Sequence, residues 1–191
     1  LPSDAIPVTS YKPAGDRARY DASYTHWEDT GPARDHYRVA WRRMAANTGE
    51  RTLIPALIPP GTAHVNAVFT VGGVDPSHLT TVAGFLSSLV ADFSVRTVPK
   101  GDISLGTVNR LPIVLDHPLQ PELLLRTLRL NCVTDAYADL WSEVYRSSWR
   151  GDAWASGRPR PNRPGLGGGG PGWSAATPLR LGQGRPWVLF T

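Results

Sequence analysis

Five arginines crowd the stretch from residue 34 to residue 51: Arg34, Arg38, Arg42, Arg43 and Arg51. Asp35 and Glu50 are the acids of that stretch, which leaves it at +3. Guanidinium groups pair bidentately with phosphate or with the major-groove edge of guanine, and an Asn side chain can read adenine. The chemistry on offer is therefore binding. Its candidates are Arg38, Arg42, Arg43, Asn47, Thr48 and Arg51, with Lys100 further along. Each arginine has a plainer alternative, a solvated strand face or an ion pair with Asp35 or Glu50. The turn Asn47–Arg51 has one too, as a structural brace.

Bond-making chemistry finds less support. His26, His36, His64, His78 and His117 are scattered, with no metal-ligand pairing. Glu28 and Asp29 lack the nearby Lys of a metal-dependent nuclease, and Lys100 with Asp102 has no partner at a useful spacing. No nucleophile-elbow sequence supports a Ser-His-Asp arrangement. Gly165–Gly170 is not a phosphate loop, because no strand precedes it and no Lys-Ser/Thr follows. Ile58-Pro59-Pro60-Gly61 lacks the amide or carboxylate before the prolines, and the aromatic after them, that would hold a flipped adenine. It reads as a turn. No catalytic residue and no metal ligand is assigned.

The elements that must position the arginines are short. Val39 and Trp41 alternate with Arg38, Ala40 and Arg42, the period-two pattern of a half-buried strand. Asn47-Thr48-Gly49 is turn chemistry. Leu53–Ile58 reads as a second strand stopped by Pro59-Pro60-Gly61, and Pro55 within it argues for an edge strand or a bulge. His64–Val71 is a third strand, so residues 37–71 are expected to form an antiparallel meander. Asp75 or Ser77 then caps a helix with Pro76 near its start. Leu79, Val82, Ala83, Phe85, Leu86, Leu89, Val90 and Phe93 recur at helical spacing along a wide face, so the helix of residues 77–96 is expected to be largely buried. Thr97–Thr107 reads as a loop. Residues 119–148 are helical and split in two by a cap at Thr134 or Asp135. Their apolar stripes are Leu123, Leu124, Leu128, Leu130 and Val133, then Tyr137, Leu140, Trp141 and Val144.

The fold class is therefore α+β: a small antiparallel sheet packed with helices. Residues 1–36 read as an extended lead-in whose Tyr11, Tyr20, Tyr24 and Trp27 either cover the domain or stack on bases. Residues 37–149 form the domain. Residues 150–191 are a Gly, Pro and Arg-rich tail that cannot bury enough apolar surface to offset chain entropy and is expected to be disordered.

Net charge is +4 over 191 residues, but it is unevenly spread. Residues 1–148 sum to −1, whereas residues 149–191 carry six Arg and one Asp. The basic character lies in the tail, and a whole-chain argument for nucleic-acid binding by the domain fails. The single Cys132 excludes an intrachain disulfide framework and suits a reducing cytoplasm. No apolar run approaches the roughly 18 residues of a membrane span, and the N-terminus lacks a signal-peptide layout.

Arg38-x-x-Trp41-Arg42, then Asn47-Thr48-x-Glu50-Arg51-Thr52-Leu53-Ile54, then Pro59-Pro60-Gly61, resembles the target-recognition region of large adenine-specific DNA methyltransferases of bacterial restriction-modification and phage-defence systems. Leu86-Ser87-Ser88, the Leu111-Pro112 pair and Asn131-Cys132-Val133-Thr134-x-Ala136-Tyr137-Ala138-Asp139-Leu140-Trp141 extend the resemblance over residues 37–148. It implies a module that positions and reads double-stranded DNA for a catalytic domain, in cis or as a separate chain. The parent enzyme would use S-adenosylmethionine; this piece would hold no cofactor. Glu50 and Arg51 could instead brace the module against that catalytic domain. In the family, a segment like Trp173–Arg180 leads into an acidic, apolar helix. Here LGQGRPWVLFT follows, so a frame change near Arg180 or Leu181 is expected, testable in the nucleotide sequence. The start without Met suggests a piece of a longer protein. The alternatives are a non-catalytic protein-interaction domain or a truncated remnant of such an enzyme.

Overall fold

A computed structural model describes residues 4, 14–27, 31–46, 48–98 and 101–151. The expected disordered tail and the site candidates Asn47 and Lys100 lie outside the described residues. The described residues divide into two compact units, with the boundary between residues 117 and 118.

The larger unit is built on a three-stranded antiparallel sheet of β3 (Arg38–Arg42), β4 (Pro55–Ile58) and β5 (Val68–Gly72). The strand order is β4-β3-β5, so the expected meander is corrected: β5 pairs with β3 rather than β4. Arg38 lies opposite both Ile58 and Gly72, and Trp41 opposite both Pro55 and Phe69. Pro55 opens an edge strand, where its missing N–H costs no ladder bond.

As the central strand, β3 is buried on both faces rather than one, and Arg38 to Trp41 are all inaccessible or nearly so. One flank is supplied by α2 (Pro76–Leu86), which packs against β3 and β4. Trp41 is pinned by its indole N–H, which donates to the Ile103 carbonyl at 2.9 Å. The lead-in supplies further cover. It contains a helix, α1 (Arg17–Ser23), where an extended lead-in was expected; the Asp16 side chain accepts the Ala18 N–H and caps it. The short strands β1 (His26–Trp27) and β2 (Gly31–Pro32) follow. The Trp27 ring then lies against Gly72 and Gly73, so close that a β-carbon on Gly72 would stand 2.7 Å from it. Of the two roles open to the lead-in aromatics, Trp27 takes that of cover.

Asp75 caps α2 by accepting the N–H groups of Ser77 and His78, with Pro76 in the first turn. The single expected helix of residues 77–96 is two. Ser87 and Ser88 interrupt it, and the Ser88 hydroxyl accepts the Ala91 N–H to start α3 (Leu89–Arg96). The two axes bend by 59°. That bend rotates the helical phase. Leu79, Ala83 and Leu86 are buried as expected, whereas Leu89, Val90 and Phe93 turn outward and Ala91, Asp92 and Val95 turn in. A short helix, α4 (Leu105–Val108), sits in the expected loop.

The second unit contains α5 (Gln120–Asn131), a 3-10 turn at Asp135–Tyr137 and α6 (Ala138–Val144), the split expected near Thr134. Tyr137, Leu140, Trp141 and Val144 are buried, and the Trp141 indole N–H donates to the Cys132 carbonyl at 2.9 Å. In α5 the buried stripe is Leu124, Leu125 and Leu128; Leu130, expected in it, is 77 % exposed. No single described helix is long and apolar enough to cross a membrane.

Candidate functional site

The arginines that follow one another in sequence part company in the structure. Arg38 is fully buried. It donates to the Tyr24 hydroxyl at 3.0 Å and to the Thr62 carbonyl, and lies against the Tyr24 ring. A phosphate or a base cannot reach it there. It is a tie between the lead-in, the central strand and the β4–β5 connection.

Arg43 takes the opposite role. Its backbone is fixed on both sides, its N–H donating to the Ala67 carbonyl at 2.8 Å and its carbonyl accepting the Ile103 N–H at 2.7 Å. Its side chain emerges at the end of β3 and stays 39 % exposed. Asp102 Oδ2 accepts Nε–H at 2.8 Å, Asn66 Oδ1 accepts from Nη1 at 3.3 Å, and the guanidinium carbon sits 5.4 Å from the centre of the Phe69 ring. Three partners therefore aim one partly exposed cation beside an exposed amide. Asp102 Oδ1 is buried and accepts no hydrogen bond among the described residues.

A second cluster gathers around Asp92. Asp92 Oδ1 accepts the Thr52 and Leu53 N–H groups, each at 2.7 Å. Its Oδ2 faces Arg51 at 3.5 Å and Arg96 at 4.0 Å. Arg51 also donates to the Ser87 and Ser88 carbonyls, and Arg96 to the Gly49 carbonyl at 2.7 Å and the Thr52 hydroxyl at 3.2 Å. Arg42 joins through a long contact of 3.5 Å to the Arg51 carbonyl. The loop after β3 is thus laced onto α3, and Arg51 serves as a brace within its own unit. Thr48 and Glu50 are exposed in that loop.

The structure brings Arg42 and Arg51 together and sets Arg38 and Arg43 apart from them. The acids that hold Arg43 and Arg51 are Asp102 and Asp92, in place of the nearby Asp35 or Glu50. Arg34 pairs with Asp21, whose hydrogen bond raises the pKa of the guanidinium. Sequence reasoning missed Asn66, Asp92 and Arg96, and weighed Asp102 only beside Lys100, not as the partner of Arg43. The first follows once β5 is placed beside β3, since Arg42 pairs with Val68. Asp92 carried a signal of its own: an acid within an apolar helix needs partners if it is to be buried.

Among the described residues no three His, Cys, Asp or Glu side chains group so as to hold a metal ion. Burial pushes the Cys132 thiol well up, away from the reactive thiolate. No family model matches this chain, and neither the curated proteins nor the solved structures compared with it give a significant match.

Proposed function

We propose that this chain is a non-catalytic DNA target-recognition module, a piece of a site-specific adenine-N6 DNA methyltransferase or restriction-modification enzyme of a bacterial defence system. In this reading it positions and reads duplex DNA in the cytoplasm for a catalytic domain outside the chain. That domain flips the adenine and binds S-adenosylmethionine; no residue of the present sequence is assigned to either task. The resemblance over residues 37–148 supports the reading. The observation that carries it is the Arg43–Asn66 pair, a held guanidinium beside an amide at the exposed end of the central strand. Those two side-chain types are the ones that read guanine and adenine in the major groove.

Most of the affinity would come from phosphate contacts and fall with salt. The test is a titration of the chain with duplex DNA across salt. Arg42→Ala and Arg43→Ala are expected to weaken binding, and Arg43→Ala to flatten the dependence on log salt by about one. Unchanged affinity and slope in both variants would sink the assignment.

A second reading, a protein-interaction module, is favoured by one specific observation. The outer face of α3 presents Leu89, Val90 and Phe93 to solvent. A pull-down of one protein without DNA, lost when Leu89 and Phe93 are made polar, would select this reading.

A further inference from the structure

Helix α3 is amphipathic the wrong way round for a helix facing water. Its inward side carries Ala91, Asp92 and Val95, with the charge of Asp92 turned to the interior. Its outward side carries Leu89 at 73 % exposure, Val90 at 69 % and Phe93 at 67 %. Leu89 and Phe93 are four residues apart and so lie one above the other, with Val90 beside them. Three such side chains expose on the order of 400 Å², the size at which an apolar patch on a monomer tends to be an interaction site.

The edge of this ridge is cationic. Arg96 follows Leu89 and Phe93 at helical spacing, and Arg51 is bound to the carbonyls of Ser87 and Ser88 where α3 begins. Their side chains are 35 % and 31 % exposed, and the two share the one buried carboxylate of Asp92. Glu50, exposed in the same loop, is the second acid there, and Arg42, 3.5 Å from the Arg51 carbonyl, is a third guanidinium. Three guanidiniums against two carboxylates leave a surplus positive charge beside an apolar ridge. That combination selects the occupant. A second copy is a poor fit, because two α3 helices packed antiparallel about a two-fold would bring Arg96 of each toward Arg51 of the other. The ridge is also about half the ~800 Å² per partner of a standard stable interface.

We infer that the outer face of α3 docks an amphipathic helix of another protein, with apolar residues at three- and four-residue spacing and carboxylates along one edge. The apolar side would cover Leu89, Val90 and Phe93, and the acidic edge would meet Arg51 and Arg96. This docking is independent of the DNA reading: it uses the face of α3, whereas that reading uses Arg43 and Asn66.

The probe is a synthetic helical peptide of roughly 16 residues, about 24 Å long, with Leu along one face and Glu along one edge. It is titrated into the full chain beside a version carrying Gln for Glu and one carrying Lys. The Glu peptide is expected to bind, the Gln peptide several-fold more weakly, and the Lys peptide more weakly still. The Leu89→Ser/Phe93→Ser double variant is expected to lose at least ten-fold in affinity. Both positions are exposed, so the variant should keep its fold, checked by circular dichroism, and its DNA affinity. Comparing the three peptides tests charge complementarity on the unaltered protein. Equal binding of the three peptides, no binding of the Glu peptide, or no loss in the double variant would overturn the proposal. So would dimerisation in sedimentation that the double variant abolishes, which points to a second copy. Binding to vesicles of anionic lipid that the same variant abolishes would point instead to a membrane surface.

Discussion

Asp92 on α3 accepts the backbone N–H of Thr52 at 2.7 Å, reaching forty residues back to the loop that leaves the central strand. The same oxygen accepts the Leu53 N–H, and the other oxygen faces two arginines. One buried carboxylate therefore satisfies two backbone donors and offsets two guanidiniums that would otherwise repel. Removing it takes that acceptor from two backbone amides and the counter-charge from two guanidiniums, which keep only their neutral acceptors. Asp92→Ala is expected to cost about 3 kcal/mol, the range for breaking a buried charge pair. Asp92→Asn keeps an acceptor for the amides but loses the charge, and should cost about half as much. Urea unfolding of the three proteins, with the slope held constant, measures both. Asp92→Ala at wild-type stability would refute this account of the loop.

Gly72 sets the limit of approach between the lead-in and the sheet. A β-carbon there would meet the Trp27 ring at 2.7 Å, the Arg38 Cγ at 2.9 Å and the Tyr37 carbonyl at 3.0 Å. The carbonyl is backbone and yields little, and the indole is wedged against Gly73 as well. Gly72→Ala should therefore destabilise by about 1–3 kcal/mol, the usual cost of overpacking. In a Trp27→Ala background the ring clash is gone and the same change should cost about 1 kcal/mol less, a coupling that a double-mutant cycle reads directly. Additive losses would place Trp27 elsewhere.

The α+β class and the helix starts could be read from the chain because they rest on local signals. Asp75 with Pro76, the Pro-Pro-Gly stop and the position of Pro55 each act within a few residues. The sheet order could not. Val39 and Trp41 look the same whether β3 is an edge strand or a central one, and Arg38 is buried in a strand paired on both sides and covered by Tyr24. The apolar spacing from Leu79 to Phe93 suggested one buried face. A Ser-Ser pair ended that register, and nothing in the spacing revealed a bend of 59°. The candidate site suffered from the same cause. Arg38, Arg42, Arg43 and Arg51 stand close in sequence, but sheet order divides them: Arg38 is a buried tie, Arg43 pairs with Asn66 at the exposed end of the strand, and Arg42 and Arg51 meet in the loop brace.

Cys132 offers a readout of the second unit. It is wholly buried, its N–H donates to the Leu128 carbonyl at 2.7 Å, and its own carbonyl holds Trp141. Burial raises its pKa well above the ordinary value. The folded state therefore holds the thiol proton more tightly than the unfolded chain does. The associated stability is fully present below the unfolded pKa of about 8.5 and declines as pH rises beyond it toward the folded value. Labelling by a thiol reagent at neutral pH should be slow in the native protein and complete in urea. The denaturation midpoint of a Cys132→Ala variant should fall less steeply above pH 9 than that of the wild type. Rapid labelling of the native protein would show that the helix packing around Cys132 opens easily.

Arg38 and Arg43 separate structure from recognition: five residues apart, the first is buried on the Tyr24 hydroxyl and the Thr62 carbonyl, and the second is partly exposed beside Asp102 and Asn66. Arg38→Ala would leave the Thr62 carbonyl and the Tyr24 hydroxyl without their donor and open space in the interior, an expected loss of about 3 kcal/mol. Arg43→Ala removes a partly exposed pair with Asp102, which should cost under about 1 kcal/mol. DNA binding should rank them the other way. With affinity corrected for the folded fraction, Arg38→Ala is expected to keep the wild-type salt dependence, and Arg43→Ala to lose about ten-fold at moderate salt. The measurement is one unfolding curve and one salt series for each variant. If Arg43→Ala loses stability like Arg38→Ala while its DNA affinity stays constant, then Arg43 is a second internal tie. The DNA reading would then lose the residue that carries it, and the outer face of α3 would be left as the surface to pursue.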